Sequence, residues 1–80
     1  MASQTRKALL SRADKRARLH GDLLRELDAG GLAPGERLAS TRALAARYGI
    51  SRRLVLDVLG ELVRQGRLER RERSGYFVRA

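Results

Sequence analysis

The sequence predicts a mainly α-helical domain closed by a small β-hairpin, an α+β fold. Three observations point there. Two amphipathic stretches, 41–48 and 52–65, are separated only by Gly49-Ile50-Ser51. A longer run of strong helix formers precedes them. After Gly66, two short runs, 68–71 and 76–79, flank Glu72-Arg73-Ser74-Gly75, as two strands flank a turn. Eighty residues allow one small domain with a modest core.

Residues 3–18 are basic and free of Gly and Pro, and Ala, Leu, Arg and Lys favour helix. A single helix over about 4–29 is the expectation, with Leu9, Ala13, Ala17, His20, Leu24 and Leu27 recurring at three- or four-residue steps. Ser11 and Asp14 offer an alternative, a capping box that starts a fresh helix. Leu19, Leu23 and Leu27 mark an apolar stripe, with His20 beside it as a boundary residue without chemistry. Gly21 weakens this helix without stopping it, and Gly30-Gly31 end it. Leu32-Ala33-Pro34-Gly35 reads as a turn, and Arg37-Leu38-Ala39 as a short extended piece. Ser40 suits an N-cap for the next helix, in which Leu44, Ala45 and Tyr48 face inward. Gly49 fits a left-handed residue after the helix end, and Ile50 the apolar contact that follows one. Ser51 caps the third helix. There Val55, Val58, Leu59, Leu62 and Val63 share a core face, Leu54 and Leu56 fall at its margins, Arg52 turns partly toward the core side, and Arg53, Asp57, Gly60 and Arg64 lie opposite. In the hairpin, Leu68, Tyr76 and Val78, or their neighbours, lay one side on the helices. Helix, short strand, helix, helix, hairpin is the order of a winged helix-turn-helix, here with a basic helical extension over 1–15 ahead of a domain over 16–80.

Charge narrows the function. The chain has 18 Lys+Arg against 9 Asp+Glu, net +9. Residues 1–20 carry 6 − 1 = +5, residues 21–51 carry 4 − 4 = 0, and residues 52–80 carry 8 − 4 = +4. Positive charge thus gathers at both ends, and nearly all of it is Arg, whose planar donor fork suits phosphate and guanine. There is no Cys and only one His, which excludes disulfides, thiolate metal sites and thiol nucleophiles. No catalytic constellation, metal site or cofactor motif is expected, so the chain is not read as an enzyme. No apolar run is long enough to span a membrane and the N-terminus lacks the apolar core of a signal peptide, so the cytosol is the expected compartment.

The candidate surface follows from the helix pair. A recognition helix enters the major groove with its N-terminal residues reaching base edges first. Those are Ser51, Arg52 and Arg53. Arg can donate two bonds to guanine O6 and N7, and a capped helix N-terminus favours a phosphate. Leu56 sits at the groove margin, where it meets either a thymine methyl or the core; Asp57 either accepts from cytosine N4 or faces solvent. The hairpin is the second contact: Gly75 permits close backbone approach beside Ser74, and Arg71 or Arg73 could enter a narrow minor groove.

The stretch 27–78 closely resembles the DNA-binding domain of the GntR family of bacterial transcription regulators. The residues that carry the likeness are Gly31 through Ser40, then Arg42, Leu44-Ala45, Gly49-Ile50-Ser51-Arg52, Val55, Leu62, Gly66, Leu68 and Gly75-Tyr76-Phe77-Val78. Ser40 to Ala45, with Leu56, looks most like the MocR and YtrA-like branches. The resemblance implies a winged helix that binds an operator as a dimer. It implies that Arg42 contacts phosphate and base, that Ser51-Arg52 opens the recognition helix, and that Gly75 is the wing glycine. Three departures stand out. Arg53-Leu54 replaces small residues usual in the family, so the operator cannot be borrowed. Glu72-Arg73-Ser74-Gly75 replaces a more usual Pro-Gly-Arg-Gly at the wing tip. No C-terminal ligand-binding and dimerisation domain follows Ala80, so no small-molecule effector is expected on this chain.

Two functions are therefore weighed. The first is a sequence-specific, double-stranded-DNA-binding transcription regulator, in the sense of a repressor, reading the major groove with 52–65 and the minor groove or backbone with the wing, 71–76. The alternative is a winged-helix protein-interaction or dimerisation module, since a fold does not fix a function. A homodimer is expected, with Leu9, Leu10, Ala13 and Ala17 as its candidate interface.

Overall fold

The computed structural model describes residues 12–79. They form α1 (Arg12–Ala29), α2 (Thr41–Tyr48), α3 (Arg52–Arg64) and an antiparallel pair, β1 (Leu68–Arg71) with β2 (Gly75–Val78). The architecture is the winged helix-turn-helix that the sequence predicts. The expected start of the first helix near residue 4, and the Ser11–Asp14 capping box, involve residues outside those described. α1 passes through Gly21 and ends at Gly30-Gly31.

Local chemistry sets each later boundary. Ser40 is extended (φ −63°, ψ 157°), and its Oγ accepts from the Ala43 N–H at 3.0 Å. This satisfies one of the donors that a helix start leaves open. Gly49 takes the left-handed conformation (φ 65°) that stops α2, and the Ile50 N–H donates to the Ala45 carbonyl at 3.1 Å. Two residues later Ser51 repeats the cap, accepting from the Leu54 N–H at 3.1 Å. The turn between the two helices is thus a stop and a start with one residue, Ile50, between them. α3 ends at Arg64, with Gln65 as its C-cap.

The core is one cluster. Leu19 and Leu23 from α1, Leu44 and Ala45 from α2, and Val55, Val58, Leu59 and Leu62 from α3 meet Leu38 and, from the hairpin, Leu68 and Val78. Leu24, Leu27, Tyr48, Ile50, Val63 and Tyr76 pack at its edge. On α1 the core stripe is Leu19 and Leu23, both buried, with Leu27 partly buried; Ala13 and Ala17, which share a second three-and-four spacing, are exposed. Helical spacing places Leu54 and Leu56 symmetrically beside the core face of α3, but packing breaks the tie. Leu54 is buried, while Leu56 stays 41% exposed, and Arg52 is exposed rather than turned to the core. Asp57 is exposed, as both readings of it require.

The extended piece around Arg37 runs beside β2. Arg37 bridges Phe77, the Gly35 N–H donates to the Val78 carbonyl, the Val78 N–H to the Glu36 carbonyl, and the Leu38 N–H to the Tyr76 carbonyl, all at 2.8–2.9 Å. The wing is therefore tied to the segment that leads into α2.

Polar contacts fasten α1 to the rest. Lys15 Nζ donates to the Gly49 carbonyl at 3.4 Å, and Arg16 pairs with Glu61 of α3 at 3.1 Å. Arg67, at the entry to the wing, pairs with Asp28 at 2.6 Å. The Tyr48 hydroxyl donates to Asp22 Oδ2 at 2.7 Å, and Asp22 also pairs with Arg25. Burial, with the hydrogen bond to Asp22 adding to it, pushes the Tyr48 hydroxyl pKa up to about 12.

Candidate nucleic-acid interface

Arginine needs a reason to cluster, because like charges repel. One cluster lies between the head of α3, residues 37–41 and the wing. A cleft of about 240 Å³ opens there, and five arginines line it: Arg37, Arg52, Arg70, Arg71 and Arg73. Residues 38–41, Leu56, Gly75 and Tyr76 complete its wall, and no described Asp or Glu lines it. The ion pairs among the described residues join Arg16, Arg25, Arg67 and Arg71 to carboxylates; Arg37, Arg52, Arg70 and Arg73 take part in none of them. A concave surface of one sign concentrates the field and attracts a polyanion.

Of the residues that sequence reasoning singled out, the cleft unites Arg52, Leu56, Arg71, Arg73 and Gly75. Arg42, Ser51, Arg53 and Ser74 lie outside its wall but are all exposed. Arg42 stands in the first turn of α2, Ser51 and Arg53 at the head of α3, and Ser74 in the wing turn. The Ser51 cap leaves the first turn of α3 with its remaining free N–H groups at a solvent-facing helix start, a place that favours anions.

The wing separates its two candidate arginines. The Arg71 guanidinium lies over the Phe77 ring, 4.2 Å from its centroid, and its Nε donates to Glu69 Oε2 at 3.3 Å. Arg71 is thereby engaged within the hairpin. Arg73 sits in the turn that the Ser74 N–H closes onto the Arg71 carbonyl at 3.0 Å. It is the single non-glycine residue with positive φ (64°) among those described. A side chain in that region costs about 1–2 kcal/mol relative to glycine. A cation kept at the tip against that cost marks Arg73 as the sharper of the two candidates.

Arg37 and Arg70 were missed. The alternation in Arg37-Leu38-Ala39 does turn Arg37 away from buried Leu38, but its pairing with Phe77 is a tertiary fact. Arg70 shares a strand face with core residue Leu68, so alternation points it inward. It escapes burial only because the hairpin outruns the core, and Tyr76 across from it is itself half-exposed. The candidate dimer residues are only partly described: Ala13 and Ala17 are exposed on α1, and Leu9 and Leu10 lie outside the described residues. Among the described residues, no helix is long and apolar enough to cross a membrane.

Known proteins share part of this sequence and this fold. The chain is 45% identical over 58 residues to the HTH-type transcriptional regulator SmoD of Agrobacterium fabrum (strain C58), covering 72% of this chain and 25% of SmoD. It is 47% identical over 51 residues to the HTH-type transcriptional regulator TauR of Rhodobacter capsulatus, covering 64% of this chain and 10% of TauR. The chain thus spans about a quarter and a tenth of the length of these relatives. Its fold superposes on the crystal structure of AraR(DBD) in complex with operator ORE1 with a TM-score of 0.77, at 26% identity, over 80% of this chain and 78% of that one. Residues 15–78, nearly the whole described fold, match the bacterial regulatory proteins of the gntR family, and the chain belongs to that family.

Proposed function

We propose that this chain is the DNA-reading domain of a transcription regulator, which binds double-stranded DNA sequence-specifically. The observation that carries the reading is the arginine-lined, carboxylate-free cleft between the head of α3 and the wing. α3 has the width and the exposed arginine head that major-groove readout requires, with Arg52 and Arg53 as base-reading residues and Ser51 and Arg42 on phosphate. The wing brings Arg73, with Ser74 and Gly75, to the adjacent minor groove or backbone, and Leu56 lies beside the cleft where a thymine methyl would pass. The family membership and the AraR(DBD) complex with its operator support the same reading. Within the family, Ser40 to Ala45 and Leu56 favour the MocR and YtrA-like branches.

Two finer assignments go with it. Occupying an operator excludes other proteins from that DNA, so we assign repression as the regulatory sense; a reporter placed behind a selected operator should lose expression when the chain is supplied. We also assign two copies per operator, because a single small reader spans few base pairs and paired half-sites raise affinity. Exposed Ala13 and Ala17 on α1 are the described part of the candidate interface. Fluorescence anisotropy with duplex DNA tests the central reading. Binding should weaken steeply as salt rises, because phosphate neutralisation releases counterions. Absence of binding at low salt would favour a protein-interaction module instead.

A further inference from the structure

Arg37 is not among the residues assigned above, yet the structure ties its backbone to the wing. Its backbone is bridged to Phe77, and the hydrogen bonds of its neighbours Glu36 and Leu38 to β2 leave only the side chain free to move. The guanidinium lies against Gly75 of the wing: a Cβ at position 75 would sit 3.5 Å from Nε and 3.8 Å from Nη2 of Arg37. Arg37 is exposed, lines the cleft and belongs to none of the ion pairs of the described residues.

The shape of duplex DNA says what such a residue meets. A phosphodiester strand always separates a major groove from the neighbouring minor groove. If α3 enters the first and the wing the second, that strand must pass between them, through the cleft. A planar guanidinium held there offers paired N–H donors to phosphate oxygens. Its seat off the helix head keeps it from base edges. We propose that Arg37 is a phosphate ligand of the strand that crosses this cleft, its guanidinium lying beside the wing glycine, with Arg70 in the same cleft wall. This inference rests on the DNA reading and adds to it a sequence-independent anchor joining the two reading elements.

The test is a salt series of anisotropy titrations on the wild-type chain, Arg37→Ala and Arg37→Lys. Each is titrated with a random-sequence duplex pool and with the duplex selected from that pool, and thermal unfolding is followed in parallel. Arg37→Ala should bind both probes about tenfold more weakly at low salt, with a salt slope shallower by about 1. Arg37→Lys should recover the slope, and neither variant should unfold earlier than wild type. An unchanged slope in Arg37→Ala, or a loss confined to the selected duplex, would overturn the phosphate assignment while leaving DNA binding intact. A lower unfolding temperature with an unchanged slope would do the same, by making Arg37 a structural residue. If the wild-type chain bound neither probe at low salt, the DNA reading itself would fall, and this inference with it.

Discussion

Two sides of this domain use the same residue type in opposite ways. On the α1 side, several cations are engaged within the molecule: Arg16 with Glu61, Arg25 with Asp22, Arg67 with Asp28, and Lys15 with the Gly49 carbonyl. On the cleft side, Arg37, Arg52, Arg70 and Arg73 have no such partner among the described residues and share a wall that no described acid lines. The difference teaches that net charge alone says little about function here. What matters is where positive charge is left unneutralised. On one side it is spent on contacts within the molecule; on the other it is held ready for something negative from outside.

The largest effect expected is one that removes both sides together. Leu59 is fully buried on α3, in the core cluster that also takes residues from α1 and the hairpin. Leu59→Ala should destabilise the domain by about 2–5 kcal/mol, read by urea unfolding, a large share of what so small a core supplies. Next come changes that should separate the sides. Arg52→Ala and Arg53→Ala should each weaken binding to a selected duplex by about 1–3 kcal/mol and relax its sequence preference, with the urea midpoint unmoved. A shifted midpoint with intact binding would invert the comparison.

Tyr48→Phe is the counterpart on the α1 side. Losing the hydroxyl bond to Asp22 should cost about 1–2 kcal/mol of stability and leave DNA affinity as it was. It also has a pH signature. The folded pKa of Tyr48 is raised from 10.0 to about 12, so the folded state holds this proton more tightly than the unfolded chain does. Its stabilisation is therefore complete below pH 10 and is lost as pH rises from about 10 through 12. Wild type and Tyr48→Phe should converge in stability over that window. Convergence at lower pH would contradict the assignment.

Arg73→Gly should move the two properties in opposite directions. Relief of the positive φ should raise stability by about 1 kcal/mol, while binding weakens and its salt slope flattens. The smallest effect belongs to Arg16→Ala. Its ion pair with Glu61 is partly exposed, so about 0.5 kcal/mol or less should be lost, and that loss should shrink with added salt.

Most of the architecture was legible because its punctuation is local. Ser40, Gly49, Ser51 and Gly66 each act within a few residues of themselves, and the apolar spacing of α3 names its own core face. Where two spacings competed, as on α1, sequence could not choose between Ala17 and Leu23, because only the opposing helices decide which stripe is covered. The same holds for Leu54 and Leu56, which helical geometry treats alike. The candidate site was half legible. Arg52 and Arg73 announce themselves by position, at a helix head and a turn. Arg37 and Arg70 do not, since each reaches the cleft through pairings of 37 with 77 and 70 with 76 that no short-range pattern records.

The claim that unpaired arginines mark the working face is tested most directly by mapping that face. The amide resonances of the isotope-labelled chain would be followed by NMR during titration with a duplex selected from random DNA. The account predicts shifts concentrated at 37–42, 51–57 and 70–77, with 22–29 and 61–66 left in place. Shifts centred on 22–29 and 61–66, or none at all at low salt, would contradict it.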